Sequence, residues 1–295
     1  MRYEEYVLIL GGIFMGTLAR AVTLRVDSRQ NPSFPTGYFI NLVTGFIAST
    51  LGAVAIPAFM NRDFTAVTFL TLAVQHFREI RKLESESFGK LERTEYTERG
   101  AAYIDGIAKT YEARNYISLL TSFFTVLAMR LCYTGILFAD CLIGLAAGLI
   151  VLFFLQALTK GRTVADICDI APGAITVAGS KLYVDGMPVT ALLGTDESRE
   201  RLQNEGVAAV LTPKTDLDRV TLENAGQRQA VLFEAIRSLG VKQYQFAQSD
   251  PDSGKTLIAF VPIVRNPGAM LYAIGKTPIL ENSRKLRAGA ANRRD

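Results

Sequence analysis

The chain has 295 residues, 49% of them hydrophobic, and a formal net charge of only +4. One histidine and three cysteines without a CxxC pair exclude His-rich metal chemistry, a disulfide framework and a zinc finger. Basic residues without interleaved aromatic residues argue against a nucleic-acid partner, and no cofactor-binding motif occurs. The hydrophobic residues crowd into roughly the first 160 positions, so we expect a membrane half followed by a soluble half.

Five apolar segments lie in this first half. A helix needs about 20 apolar residues to cross the hydrocarbon core of a bilayer. The segment 64–77 is shorter than that, so we expect a short, broken or re-entrant helix there. We therefore predict about five membrane spans, at residues 6–24, 36–60, 64–77, 116–133 and 135–158.

The basic residues between these spans predict their orientation in the membrane. The clusters after the first, third and fifth spans are Arg25 with Arg29, the run 78–99, and Lys160 with Arg162. With five crossings all of them fall on one side of the membrane. The positive-inside rule then predicts an N-terminus outside the cell membrane and a C-terminal domain in the cytoplasm.

The cytoplasmic loop 78–114 has mixed charge and spaced apolar side chains, which predict one or two amphipathic helices along the membrane. Its last part, GAAYIDGIAKTYEARNY, leads directly into the span 116–133. In helical register one face carries Tyr103, Ile107 and Tyr111, and another carries Asp105, Lys109 and Glu112. The simpler interpretation is an interfacial helix with its aromatic rings at headgroup depth and a solvated charged edge. The functional interpretation is a partner-docking edge made of Tyr103, Lys109, Glu112 and Arg114.

From Thr163 onward, short alternating runs separated by glycines are typical of a β-meander. DESRERLQNEG, TLENAGQRQAVLFEAIRSLG and TPILENSRKLR predict helices, and VAAVLTP and KTLIAFVPIV predict strands. DPDSGKT lacks the first glycine of a phosphate loop and predicts a hairpin turn. The predicted divisions are three membrane segments (1–77), the loop (78–114), two further spans (115–159), a cytoplasmic α+β domain (160–282) and a basic tail (283–295). The fold class is thus an α-helical membrane domain followed by a soluble α+β domain.

Asp140 lies inside the last predicted span, where an ionisable group is costly. An ion pair with Arg130, or hydration near the outer surface, would explain it structurally. The catalytic explanation pairs Asp140 with Asp105 as the carboxylates of a membrane aspartic protease, although Asp105 is expected on the cytoplasmic side. Asp166 and Asp169 indicate a solvated helix end rather than a metal site.

The stretch GAAYIDGIAKTYEARNY resembles the signature of the YIEGIA family, with Asp105 where that signature has glutamate. GTLARAVTLRVDSRQNPSFPTG and FTAVTFLTLAVQHFREIRKLE are similar to the membrane region of the same family, so the resemblance covers nearly the whole chain. The family belongs to endospore-forming bacteria and is associated with a small capping subunit. The resemblance therefore implies a multi-pass protein of a sporulation-stage membrane that works with a small partner protein.

Residues 11–72 are also similar, more faintly, to the small fluoride channels. Arg20, Asn41 and Thr68 fall on matching positions, whereas Leu72 stands where those channels have a second phenylalanine. This resemblance implies a polar pathway through Arg20, Asn41 and Thr68, and a third helix that is broken near Thr68.

Three functions are consistent with these observations. The one that we favour is a membrane scaffold that docks a small partner through its loop and C-terminal domain. The others are a membrane-embedded aspartic-type protease that processes a spore-assembly or germination factor, and an ion pathway related to fluoride channels. Each has the lipid bilayer as a partner and is compatible with a homo-oligomer.

Overall fold

The computed structural model describes residues 3–27, 35–92 and 94–283. The chain divides into two units. We call Met1–Glu86 with Ile107–Lys160 the helical unit, and Ser87–Gly106 with Gly161–Asp295 the α+β unit. Arg29, and residues 284–295 of the predicted basic tail, lie outside the described residues.

The helical unit is built from long helices. They are α1 (Tyr3–Asp27), α2 (Pro35–Met60), α3 (Phe64–Glu92), α4 (Ala101–Leu131) and α5 (Leu137–Thr159), of which α3 ends and α4 begins in the α+β unit. Small residues let α1 and α2 approach closely, as in packed membrane helices: a Cβ atom at Gly16 would lie 2.4 Å from Cβ of Ser49. Hydroxyl groups join α4 to this pair, since Ser118 Oγ donates to the carbonyl of Gly16 (2.6 Å) and Ser122 Oγ to that of Ser49 (2.7 Å).

Three helices among the described residues are long and apolar enough to cross a membrane, at Glu5–Leu24, Tyr38–Met60 and Leu137–Thr159. These correspond to the first, second and fifth predicted spans. The segments 64–77 and 116–133 belong to helices that also carry charged or polar stretches. In α4, for example, Ser118 and Ser122 are fully buried and face neighbouring helices.

The expected break in the third segment is wrong, because α3 is one continuous helix of 29 residues. The hydroxyl groups of Thr68 and Thr71 donate to the carbonyls of Phe64 (2.9 Å) and Val67 (3.1 Å), four residues earlier. These side chains are therefore satisfied within the helix. The loop predicted at 78–114 is likewise not a separate pair of helices, since its first part extends α3 and its last part opens α4.

The strands of the α+β unit are β1 (Cys168–Gly173), β2 (Ile175–Ala178), β3 (Lys181–Val184), β4 (Met187–Leu192), β5 (Val207–Pro213), β6 (Gln243–Ser249) and β7 (Thr256–Val261). The predicted β-meander is a three-stranded antiparallel sheet in the order β2-β3-β4. A second, antiparallel sheet has the order β1-β5-β7-β6. The helices are α6 (Val164–Ile167), α7 (Asp196–Glu205), α8 (Asp216–Leu222), α9 (Ala225–Leu239) and α10 (Pro267–Gly275).

The four-stranded sheet is covered on both faces. Along β7, Ile258 and Phe260 pack in a core with residues of α9 and α10, whereas the alternate residues Leu257 and Ala259 pack in a second core with residues of β3, β4 and α7. Because side chains alternate between the faces of a strand, a central strand covered on both sides is apolar throughout. This explains why β5 and β7 were predictable as unbroken apolar runs.

The sequence did not predict β1, β6, α6, α10 or the start of α8, and the helix predicted at 221–240 is divided between the end of α8 and α9. β1 and β6 are the two edges of the four-stranded sheet, and edge strands tolerate the proline, glycine and glutamine residues found there. The division comes from Asn224, whose side chain accepts from the Gln227 N–H (3.1 Å) and caps a new helix, α9. The hairpin turn predicted around DPDSGKT connects β6 to β7.

Candidate functional site

The motif YIDGIA, residues 103–108, forms the first turns of α4. The helix begins after Gly100, whose φ of 88° is a left-handed conformation that favours glycine. The carbonyl of Gly100 accepts from the backbone N–H groups of Tyr103 (2.9 Å) and Ile104 (3.1 Å). The Gly100 N–H itself donates to Glu92 Oε1 at the end of α3 (2.5 Å).

The apolar face predicted for this helix is confirmed, but its environment differs from the prediction. Tyr103, Ile104, Ile107, Ala108 and Tyr111 are all buried, with at most 6% of their surface exposed. They recur at the spacing of one helical face. Tyr103 is enclosed by protein, so its ring does not face lipid headgroups.

Tyr103 is anchored on α9 of the α+β unit. Its hydroxyl donates to Glu234 Oε1 at 2.5 Å, and its ring meets the Phe233 ring edge-on with centroids 6.2 Å apart. Arg237, one turn further along α9, donates to the other oxygen of Glu234 (2.8 Å). A phenol and a guanidinium therefore hold both oxygens of a carboxylate that is only 10% exposed.

The loop before α4 is bound to the same surface. Gln229 Nε2 donates to the Glu98 carbonyl (2.5 Å), and Thr97 Oγ1 donates to Gln245 Oε1 on β6 (2.6 Å). The Arg99 guanidinium lies over the Phe233 ring, 5.2 Å from its centroid. We call residues 94–106, with the α9 and β6 residues that hold them, the motif seam.

Small residues allow the two helices of the motif seam to meet. A Cβ atom on Gly226 would lie 3.3 Å from the Cβ of Ala102, and one on Gly106 would lie 3.9 Å from the Leu280 side chain. The helices thus approach closely at the first turn of each. The arrangement is a packed contact between the motif and the α+β domain, made of apolar rings around a satisfied polar core.

The other predicted docking residues are less exposed than expected. Glu112 has a side chain only 11% exposed and accepts from Arg81 at 2.9 Å, while Arg114 is buried. Burial, and to a lesser degree the charge of Arg20, lower the pKa of Arg114 to about 10. The prediction of a solvated edge is therefore wrong for Glu112, while Asp105 and Lys109 of the same edge are half-buried.

The two candidate catalytic carboxylates belong to different units: Asp105 to the α+β unit and Asp140 to the helical unit. Asp140 is 5% exposed, and its Oδ1 accepts from the backbone N–H (2.9 Å) and the hydroxyl (2.8 Å) of Thr134. It thereby stabilises the turn between α4 and α5. Among the described residues Arg130 makes no ion pair with Asp140, so the predicted pair is wrong.

Two of the three residues of the predicted polar pathway are brought together. Arg20 is 1% exposed, and its Nη2 and Nε donate to Asn41 Oδ1 (2.8 Å) and to the Asn41 carbonyl (3.1 Å). Thr68 is exposed and bonded to its own helix. Burial raises the pKa of Glu84 on α3, an effect that the nearby charge of Arg20 opposes.

The pair Asp166 and Asp169 has structural explanations. Asp166 Oδ2 accepts from the Thr163 backbone N–H (2.7 Å) and hydroxyl (3.1 Å), which caps α6 and lowers the pKa of Asp166. Asp169 lies 3.9 Å from the Lys214 ammonium group. Within the described ranges no group of three or more His, Cys, Asp or Glu residues converges as a metal site would require.

The sequence reasoning missed Glu234, Gln229 and Gln245, which receive the motif. Glu234 carries a local signal, because it interrupts the apolar run AVLFEAI of α9 with a carboxylate. A charge inside the buried face of a helix needs a partner. Its partner, however, lies 131 positions away and cannot be read from the sequence.

Comparison with known proteins agrees with the motif. A family model described as "YIEGIA protein" matches residues 8–289. The uncharacterized protein YphB of Bacillus subtilis (strain 168) is 31% identical to this chain over 288 residues, which cover 95% of this chain and 94% of YphB. No solved structure matches. Because the family match extends through both units and includes the motif seam, the chain belongs to the YIEGIA family.

Proposed function

We propose that this chain is a membrane scaffold of a sporulation-stage membrane, which docks a small partner protein on its α+β unit. The observation that carries the proposal is the motif seam. Tyr103 and Ile104 of the family motif are buried in packing, and the Tyr103 hydroxyl is engaged by Glu234. A motif used in this way has a packing role within the α+β unit, which favours a scaffold over a reaction site.

A partner needs an exposed surface, and the α+β unit offers one after β7. Ile263 and Val264 are neighbours in the chain and are 62% and 59% exposed. Their loop is held in place, since the Val264 N–H donates to the Leu239 carbonyl (3.0 Å) and Arg265 donates to the Asn204 carbonyl (3.0 Å). Adjacent apolar side chains on a rigid loop lose little entropy on binding, which favours a docking role.

The test is partner capture by the full-length protein from membranes of sporulating cells. The Ile263→Ser/Val264→Ser double variant should lose at least about 80% of the small partner while its own membrane level stays unchanged, as expected when a buried hot spot is truncated. Leu91→Ser is the matched control, because Leu91 is exposed (55%) elsewhere in the same unit. Capture that is unaffected by the double variant would contradict this docking surface.

The orientation is part of the proposal. All five long helices would cross the membrane, with the N-terminus outside and the α+β unit in the cytoplasm. The grouping of Lys160 and Arg162 with the basic run 78–99 on one side supports this orientation.

The runner-up is an aspartic-type membrane protease, which the burial of Asp140 favours (5% exposed). Two observations weigh against it. Both hydrogen bonds to Asp140 come from Thr134 in the adjacent turn. In addition, Asp105 belongs to the α+β unit, whereas Asp140 belongs to the helical unit.

An ion pathway has weaker support. The Arg20–Asn41 contact fits it, but the continuous α3 lacks the helix break that the channel resemblance implies.

A further inference from the structure

A crevice of about 200 Å³ opens at one end of α1, α2 and α4 in the helical unit. Leu8, Ile56 and Val126 line its apolar part, and Leu8 and Val126 belong to a buried apolar cluster. Two residues of opposite charge, Glu5 and Arg130, line the same crevice. One water molecule occupies ~30 Å³ in the liquid, so the crevice has room for about seven. This space is enough for a small polar headgroup but not for an acyl chain.

The crevice lies at an edge of the apolar helices. Glu5 is the first residue of the apolar stretch Glu5–Leu24, and Met60, which also lines the crevice, is the last residue of Tyr38–Met60. α1 and α2 are antiparallel, because Gly12 lies beside Ala53 and Gly16 beside Ser49. The two ends therefore coincide at the depth where hydrocarbon gives way to lipid headgroups.

Arg130 supplies the recognition chemistry. It is exposed and, among the described residues, forms no ion pair or hydrogen bond. A guanidinium at this depth is suited to a phosphodiester, which it can bind through two parallel hydrogen bonds. The Glu5 carboxylate disfavours a headgroup that is purely anionic and accepts hydrogen bonds from a primary ammonium group.

We propose that this crevice binds the headgroup of a phosphatidylethanolamine lipid, with Arg130 on the phosphate and Glu5 on the ammonium group. Ile56 and the exposed side chain of Met60 then border the glycerol and the first acyl carbons. The glycerol headgroup of phosphatidylglycerol offers Glu5 hydroxyl donors but no positive charge, and its net negative charge is repelled by the carboxylate. A phosphatidylcholine has a quaternary ammonium group, which cannot donate a hydrogen bond.

The experiment is native mass spectrometry of the purified full-length protein in detergent, with an equal mixture of the three lipids. The wild type should retain phosphatidylethanolamine in preference to the other two. Arg130→Gln should reduce all phospholipid retention about tenfold, the effect of losing about 1.4 kcal/mol. Glu5→Gln should keep phosphate-dependent retention and lose the preference for ethanolamine over glycerol headgroups.

The matched control is Arg62→Gln, which removes the same charge next to α2 from a residue that does not line the crevice. It should bind lipid like the wild type. The ratio of two lipids on one protein is independent of the folded fraction, so partial misfolding does not mimic the Glu5→Gln result. Unchanged retention in Arg130→Gln, an equal loss in Arg62→Gln, or a wild-type preference for phosphatidylglycerol would each overturn the proposal.

Discussion

The Tyr103 hydroxyl and the Glu234 carboxylate lie 131 positions apart in the chain and 2.5 Å apart in the structure. Glu234 is also held by Arg237, so this carboxylate has partners on two helices. When a buried carboxylate loses one hydrogen-bond partner, part of its desolvation cost is no longer offset and the folded state is destabilised. At the scale of residues, the family motif therefore acts through a hydrogen bond as well as through packing.

Tyr103→Phe keeps the ring against Phe233 and removes the hydroxyl. We expect a local destabilisation of about 1–2 kcal/mol, the usual cost of leaving one buried polar group without its partner. Hydrogen exchange of the full-length protein should show faster exchange in the α9 peptides that contain Glu234. Tyr96→Phe is the control because Tyr96 is 66% exposed, and equal effects of the two changes would argue against an anchoring role for Tyr103.

At the scale of elements, the turn between α4 and α5 depends on Asp140. Its Oδ1 accepts from both the backbone and the hydroxyl of Thr134, while the Thr134 hydroxyl accepts from the Ile136 N–H (3.2 Å). The carboxylate thus closes a short network at the start of α5. This role needs an acceptor oxygen and not an acid.

The prediction is a graded response to substitution. Asp140→Asn keeps an acceptor oxygen and should lower the thermal midpoint of the purified protein only slightly, whereas Asp140→Ala should cost about 1–3 kcal/mol by removing both hydrogen bonds from Thr134 to a charged group. The set of protein N-termini in sporulating cells should be the same with Asp140→Asn as with the wild type. A cleavage product that disappears with Asp140→Asn at normal protein level would instead establish the protease.

Helices with a clear apolar period and strands covered on both faces were predictable, because the pattern of apolar residues within each element indicates which side chains are buried. β5 and β7 are examples, and so is the apolar face of α4. The edge strands β1 and β6 were not, since their pairing depends on neighbours supplied by distant parts of the chain. The continuity of α3 was also missed, because hydropathy marks where a helix leaves apolar surroundings and not where it ends.

At the scale of the whole molecule, the sequence predicted the order of an apolar helical part and an α+β part, and it singled out the motif at residues 103–108. It did not predict that residues 87–106 belong to the α+β unit. Local pattern gave Tyr103 an apolar face but could not say whether lipid or protein covers it. The candidate site was therefore found by its motif, whereas the contacts that support its proposed role are provided only by the fold.

The packing of the family motif against α9 in the motif seam can be tested with a designed disulfide. In a protein whose native cysteines are replaced, Ala102→Cys with Gly226→Cys should cross-link on mild oxidation, because a Cβ at position 226 would lie 3.3 Å from that of Ala102, close to disulfide geometry. Gly89→Cys with Gly226→Cys is the control, since the space around Gly89 is open. Efficient cross-linking of the first pair alone is the predicted result. No cross-link in that pair, or equal cross-linking in both, would contradict the account.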